Sequence, residues 1–246
     1  MHRELLDFKK IKLMTLNILS GGGKRIDKIS KKIKMHDPDV LIISEFRLGK
    51  SWELLQEKLS ELGFKIFDYK IKVPKTNSVM IASKFPAEKI DTPNLPESEL
   101  HRLCGLKVFG IKILGVYFAQ KEKKKPLFKY FLEDYDHLIG DQTLIMGDMN
   151  TGLSEDNSTD KGFYCKEQFS ELTSGKMIDL WRRRNKNIKE YSWMHSKYGN
   201  QFRIDHALGT NNIDKMTKKI FYSHEERQEK VTDHSALILE LEIPNE

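Results

Sequence analysis

Short apolar runs alternate with amphipathic stretches along most of the chain. Residues 12–18 form a short apolar strand, broken by Gly21-Gly22-Gly23. Ile26, Ile29 and Ile33 then recur at helical spacing up to about Met35. Asp37-Pro38-Asp39 is a stop, and Val40-Leu41-Ile42-Ile43 reads as a buried strand. Leu54, Leu55, Leu59 and Leu62 predict a second amphipathic helix, closed by Gly63. Further strands are expected at 64–71 and 78–82, and strand-like content runs over 106–117 with bends at Gly110 and Gly115. A helix is expected at 127–139 and a buried strand at 143–146. After a loop and another helix, strand-like runs return at 191–194, 202–208, 218–222 and 236–241. Residues 91–99, with two prolines, read as a loop, and 121–125 as a basic loop. The pattern implies an α/β or α+β protein layered around sheets.

No repeat, low-complexity tract or flexible linker divides the sequence, so one domain over residues 1–246 is expected. A chain of this length buries most of the surface it exposes when unfolded and needs no disulfide or metal to fold. No apolar run approaches the ~18 residues of a membrane helix. The charged start Met1-His2-Arg3-Glu4 lacks a signal-peptide core. Cys104 and Cys165 have no metal-ligand spacing. These features exclude a membrane protein, a secreted disulfide scaffold and a zinc ribbon, and point to a reducing, cytoplasmic setting. No obligate protein partner is evident. The net charge of +6 admits an anionic partner without identifying one.

Polar residues stand at the ends of the apolar runs. Asn17 closes the first and Glu45 the second; Tyr117 closes 111–116. Asp148 and Asn150 follow 144–146 in Gly147-Asp148-Met149-Asn150, and Asp233-His234 opens the last run. Asp205 lies inside one, where an unpaired carboxylate costs several kcal/mol, on the order of ~3, and therefore needs a partner. Ligands collect where strands end. Acids, amides and a histidine delivered there suit a hard metal such as Mg²⁺ and a phosphate. Each residue alone has an ordinary explanation: Asp148 and Asn150 as turn formers, Asp233-His234 as a cap, and His101, His195 and His206 as structural or exposed side chains. Their order along the chain is the specific feature.

That order resembles the endonuclease/exonuclease/phosphatase superfamily. The matching pieces are Thr15-Leu16-Asn17-Ile18, the segment from Pro38 to Glu45, Gly147-Asp148-Met149-Asn150, Arg203-Ile204-Asp205-His206 and Thr232-Asp233-His234-Ser235. The resemblance implies a four-layer sandwich, two packed mixed β-sheets flanked by helices. It implies Glu45 as a Mg²⁺ (or Mn²⁺) ligand, with Asn17 beside it contacting metal or phosphate and Asp233 near a second metal position. It implies Asp148 as the group that orients and deprotonates the attacking water, Asn150 and His234 as phosphate contacts, and Asp205 as the buried partner that orients a catalytic group, His234.

Gly115-Val116-Tyr117 is similar to the tyrosine-bearing segment of the exonuclease III and abasic-site endonuclease branch, where Tyr117 would contact the phosphate. Departures from that branch are Phe202 in place of a tryptophan before Arg203, and Ser44 in place of a glutamine before Glu45. Arg182, Arg183, Arg203 and Trp193 are candidate nucleic-acid contacts. The expected activity is metal-dependent phosphodiester hydrolysis on nucleic acid, DNA above all. The rival is a phosphoesterase for a small phosphorylated molecule or lipid headgroup, because a fold does not fix its substrate.

Overall fold

The computed structural model describes residues 8–71, 73–133, 138–159, 162–175, 177–195 and 197–244. The charged N-terminal residues 1–6 and part of the helix expected at 127–139 lie outside these. The strands are β1 (Phe8–Asn17), β2 (Val40–Phe46), β3 (Ile66–Tyr69), β4 (Ser78–Ser83), β5 (Glu88–Lys89), β6 (Leu103–Val108) and β7 (Ile111–Tyr117). They continue with β8 (Thr143–Asp148), β9 (Ile178–Asp179), β10 (Trp193–Met194), β11 (Gln201–Phe202), β12 (Asp205–Gly209), β13 (Thr217–Ser223) and β14 (Ala236–Pro244). The helices are α1 (Ile26–His36), α2 (Lys50–Glu61), α3 (Lys125–Glu133), α4 (Lys166–Ser174), α5 (Leu180–Arg184), α6 (Asn211–Met216) and α7 (Glu225–Gln228).

One six-stranded sheet has the order β13-β14-β1-β2-β4-β3 and the other β5-β6-β7-β8-β12-β9, with β10-β11 as a separate hairpin. Both large sheets are mixed: β1–β2 and β7–β8 are parallel, while the other pairings are antiparallel. The sheets pack through alternate side chains. Leu13, Ile42 and Ile81 of the first meet Ile113, Leu144 and Met146 of the second in one buried cluster. The opposite face of the first sheet buries Leu16 and Ile43 against Ile29 and Ile33 of α1 and Leu55 and Leu59 of α2. The opposite face of the second buries Val116 and Ile145 against Phe128 of α3 and Phe169 of α4. The result is the expected helix–sheet–sheet–helix sandwich. Among the described residues no helix is long and apolar enough to cross a membrane.

Local chemistry explains most boundaries. α1 ends where Asp37 turns left-handed (φ 47°) and its N–H caps the Ile33 carbonyl; Pro38 cannot continue the helix. α2 buries Trp52, Leu55 and Leu59, whereas Leu54 is exposed. Its apolar stripe therefore starts from Trp52. The run at 106–117 is two strands, β6 and β7, joined at Phe109-Gly110. Gly115 does not bend the chain; it pairs with Cys104 on one side and Met146 on the other. The segment at 121–125 is not a loop but a 3₁₀ turn that leads into α3 and buries Lys124. The run at 202–208 splits into β11 and β12, because Arg203 turns inward.

The edge that carries the chemistry is formed where the ends of β1 and β2 meet those of β7 and β8. Ser44 Oγ bridges the sheets there, donating to the Val116 carbonyl (3.3 Å) and accepting the Asp148 N–H (3.4 Å). The parallel register sets Tyr117 beside Asp148. Gly147 has φ 150°, and a Cβ at that position would lie 2.0 Å from the Val116 carbonyl oxygen. Glycine is required for the two strands to approach this closely.

Candidate active site

Asp148 ends β8 and is 1% exposed. Three donors hold its carboxylate: Asn17 Nδ2 at 2.9 Å, the Asn150 N–H at 2.8 Å and Asn150 Nδ2 at 3.3 Å. Across the antiparallel β8–β12 pair it lies directly opposite Asp205. Burial, and then the like charge of Asp205, push the Asp148 pKa up to about 7; His234 and the amide donors act against the shift. Asp148 thus changes protonation state near neutrality, as a general base should.

His234 lies just before β14 and bonds through Nδ1 to Asp205 Oδ2 at 2.8 Å. Burial alone would lower its pKa. The Asp205 carboxylate, with Asp148 and Asp233 near it, outweighs burial and raises it to about 10, so the ring is an imidazolium at neutral pH. Ser192 Oγ accepts the Ile204 and Asp205 N–H groups (3.0 and 3.1 Å), and the Ser235 N–H donates to the Ser192 carbonyl at 2.7 Å. One serine therefore ties together the segments that carry Asp205 and His234. Asp205 Oδ1 is buried without a partner.

Glu45 sits half-buried in a left-handed conformation (φ 55°) at the end of β2. Its Oε2 accepts the Ser20 N–H at 2.7 Å, and its Oε1 the Tyr117 hydroxyl at 3.4 Å. Asn77, at the approach to β4, reaches that hydroxyl from the other side at 3.5 Å. Burial, then Glu45 and Asp148, push the Tyr117 pKa upward, so the phenol stays neutral and keeps its proton to donate. Asp233 is half-buried and accepts the Trp193 indole N–H at 2.9 Å.

Glu45 and Asp233 both open on the same cleft. Each carboxylate oxygen can accept more than one bond, and an all-oxygen set suits Mg²⁺ or Mn²⁺. The ligand atoms of Asp148, Asp205 and His234 also lie within 4.8 Å of one another. Within that group His234 Nδ1 is already bonded to Asp205 Oδ2 and both Asp148 oxygens accept amide donors.

Asn17 and Asn150 are brought to the site in a role that residue type did not reveal. Asn17 spans from the Leu19 N–H, which its Oδ1 accepts at 2.9 Å, to Asp148. The amide hydrogens of Asn150 lie on the Phe118 carbonyl and on Asp148. In this structure both amides hold the Asp148 carboxylate.

Glu45, Asp148, Asn150, Asp233 and His234 line a cleft of ≈ 440 Å³. One wall is aromatic: Trp193 stacks on Phe202 with ring centroids 5.4 Å apart and planes 6° from parallel, and Phe163 meets Phe202 edge-on. Lys121 and Lys124 line it as well. Lys124 is buried and donates to the Asn150 carbonyl, and burial lowers its pKa to about 8. Trp193 is thus at the site, but two arginine expectations are corrected. Arg203 is fully buried, with Asp156, Asp179 and His206 around its guanidinium, and has no N–H to offer a ligand. Arg182 is spent on Asp156 and on the carbonyls of Asn185 and Ile188. The third arginine, Arg183 on α5, is exposed and stands 3.8 Å from Asp214 of α6. His206 bonds the Thr151 carbonyl and is structural. The site residues that pattern reading missed are Asn77, Ser44, Ser192 and Lys124. Only Lys124 carried a signal, as part of the basic run at 121–125.

The sequence matches the profile of the Endonuclease/Exonuclease/phosphatase family over residues 14–234. Solved structures share the architecture at low identity. A 3′ phosphatase from Neisseria, NExo, bound to product DNA hairpin, is 18% identical with a TM-score of 0.79, over 94% of this chain and 99% of that one. An AP endonuclease from Archaeoglobus fulgidus is 18% identical with a TM-score of 0.80, over 93% and 98%. The AP endonuclease LMAP from Leishmania major is 14% identical with a TM-score of 0.73, over 96% and 89%. With the profile spanning most of its length, the chain belongs to the endonuclease/exonuclease/phosphatase family.

Proposed function

We propose that this protein is a divalent-cation-dependent phosphodiesterase acting on DNA, of the exonuclease III and abasic-site endonuclease branch. The observation that carries the reading is the pairing, in one cleft, of Asp148, held by three amide donors, with His234, whose Nδ1 is taken by Asp205. Asp148, fixed by Asn17 and Asn150, takes a proton from the attacking water as the new P–O bond forms and the ester P–O bond opposite breaks, the leaving oxygen keeping the bond pair and taking a proton from solvent water. His234, with Nδ1 occupied by Asp205, has Nε2–H left to donate to a nonbridging oxygen. Tyr117 adds a neutral donor. Such preorganised donors each stabilise the transition state by about 3–4 kcal/mol. Glu45, with Asp233 flanking, would hold the cation; when bound it neutralises charge building on the phosphoryl group. The stacked Trp193–Phe202 wall and the two lysines suit a nucleotide substrate, and DNA processing is named for the NExo and AP endonuclease structures of the same fold.

The test is a substrate panel with and without EDTA: abasic duplex, 3′-phosphorylated duplex, nicked duplex, single-stranded DNA, RNA and inositol phosphates. Hydrolysis of a DNA substrate should vanish in EDTA and return with Mg²⁺ or Mn²⁺. Full activity in EDTA sinks the cation assignment, and turnover confined to inositol phosphates sinks the nuclease reading.

A further inference from the structure

The glycine-rich turn between β1 and α1 has no place in the chemistry above, yet it is built against it. Leu19, Ser20, Gly21, Gly22 and Gly23 have φ of 54°, 55°, 74°, 74° and 51°. L-residues enter the left-handed region singly, and only glycine does so without strain. The hydrogen bonds show what the run achieves. The Ile18 N–H donates to the Ser44 carbonyl (3.1 Å) and the Leu19 N–H to Asn17 Oδ1 (2.9 Å). The Ser20 N–H reaches Glu45 Oε2 (2.7 Å) and the Gly21 N–H the Glu45 carbonyl (2.8 Å). Three of these N–H groups wrap the end of β2, and that of Ser20 bonds the Glu45 carboxylate.

Arg25 closes the turn from behind. Its Nη2 donates to the carbonyls of Ile18 (3.1 Å) and Leu19 (2.6 Å), and its Nη1 to the carbonyl of Val231 (2.6 Å). Val231 stands two residues before Asp233 and three before His234. One guanidinium therefore joins the turn that aims Glu45 to the segment that carries Asp233 and His234. Its charge also lies within electrostatic reach of Glu45 and Asp233. A planar fork with fixed donor directions can span three carbonyls of two segments; an ammonium point charge cannot set that geometry.

We propose that Arg25 is a positioning residue for the cation site, fixing Glu45 relative to Asp233 and His234 by bridging their two loops; this rests on the reading that Glu45 and Asp233 hold the divalent cation. Groups that orient metal ligands in this way typically contribute about 10–100-fold to metal affinity or activity.

The experiment is Mn²⁺ and Mg²⁺ binding by calorimetry, together with the cation-induced melting shift, for the wild type, Arg25→Gln and Arg25→Lys. Arg25→Gln should bind the cation about 10–100-fold more weakly, and its lost turnover should return largely when cation is raised in proportion. A general loss of packing would not be recovered by cation. Arg25→Lys keeps the charge and loses the fork, so it should stay weakened; it also serves if the glutamine variant does not fold. Unchanged or tighter cation binding in Arg25→Gln overturns the proposal, and so does wild-type affinity in Arg25→Lys, which would make charge rather than bridging the cause. A wild type that binds no divalent cation overturns both the proposal and the reading beneath it, whereas the variant results overturn the proposal alone.

Discussion

Two buried charge clusters sit side by side around β12, assembled from the same kinds of residue, and they are kept in opposite states. Around Arg203, the carboxylates of Asp156 and Asp179 have every oxygen hydrogen-bonded, mostly by the guanidinium itself. Burial alone would push both carboxyls up, but Arg203 outweighs it and holds both below the ordinary range. Around His234, Asp205 bonds the imidazole, one of its oxygens has no partner, and Asp148 is left facing a like charge. The first cluster is closed and neutral in effect. The second carries like charges, Asp148 and Asp205, face to face beside an open cleft. What separates the two is whether every carboxylate oxygen has a partner.

The largest expected effect is on Asp148. Asp148→Asn should cut kcat by at least about 10²-fold on whichever phosphoester proves to be the substrate. Its effect on stability should depend on pH: the asparagine faces amide donors with one acceptor fewer, but removes a buried charge. A carboxyl whose folded pKa is raised destabilises the fold when ionised; that cost is absent below the ordinary carboxylate pKa and complete above about 7. Asp148→Asn should therefore compare better with wild type in melting near pH ~8 than near pH ~4. A variant that melts far below wild type while keeping its turnover would turn the site into scaffold.

Next comes Arg203→Met, which strands two buried carboxylates and should cost about 3–5 kcal/mol, roughly 6–20 °C in melting temperature for a chain this long. Depressed carboxyls contribute stability above their unfolded pKa and lose it as pH falls through the folded values, so the deficit should shrink on acidification. Below its own melting point the variant should keep far more turnover than Asp148→Asn. Wild-type melting of Arg203→Met would erase the contrast between the clusters.

The smallest effect is a shift in pH profile. Turnover should rise with pH as Asp148 ionises near 7 and fall as His234 loses its proton near 10. Asp205→Asn removes the charge that holds the imidazolium, so the alkaline limb should move to lower pH by roughly 1–3 units. An unmoved alkaline limb would mean that another group carries it.

The strand ends were legible in the sequence because an apolar run that stops at Asn17, Glu45, Tyr117 or Asp148 marks a sheet edge whatever the topology. The need of Asp205 for a partner followed from its apolar neighbours. Arg203, two positions away, was misread because its partners lie 47 and 24 residues distant in sequence; nothing local distinguishes an arginine that turns inward from one that faces a ligand. The work of Asn17 and Asn150 on Asp148 depends on the rotation of an amide, which residue type does not encode. Nothing in the sequence marks Arg25, because its acceptors are main-chain carbonyls, and carbonyls leave no trace in sequence.

The missing Cβ at Gly147 bears on how such a chain can vary through time. Tyr117 and Asp148 are neighbours because β7 and β8 close to a spacing that leaves no room for a methyl group. An asparagine at 148 or a phenylalanine at 117 would blunt the chemistry and leave the sheet standing. An alanine at 147 would pry the two strands apart and displace both side chains together. The position with no functional group is then the one least free to drift, and a lineage that changes its substrate by remodelling the cleft walls would still inherit that glycine.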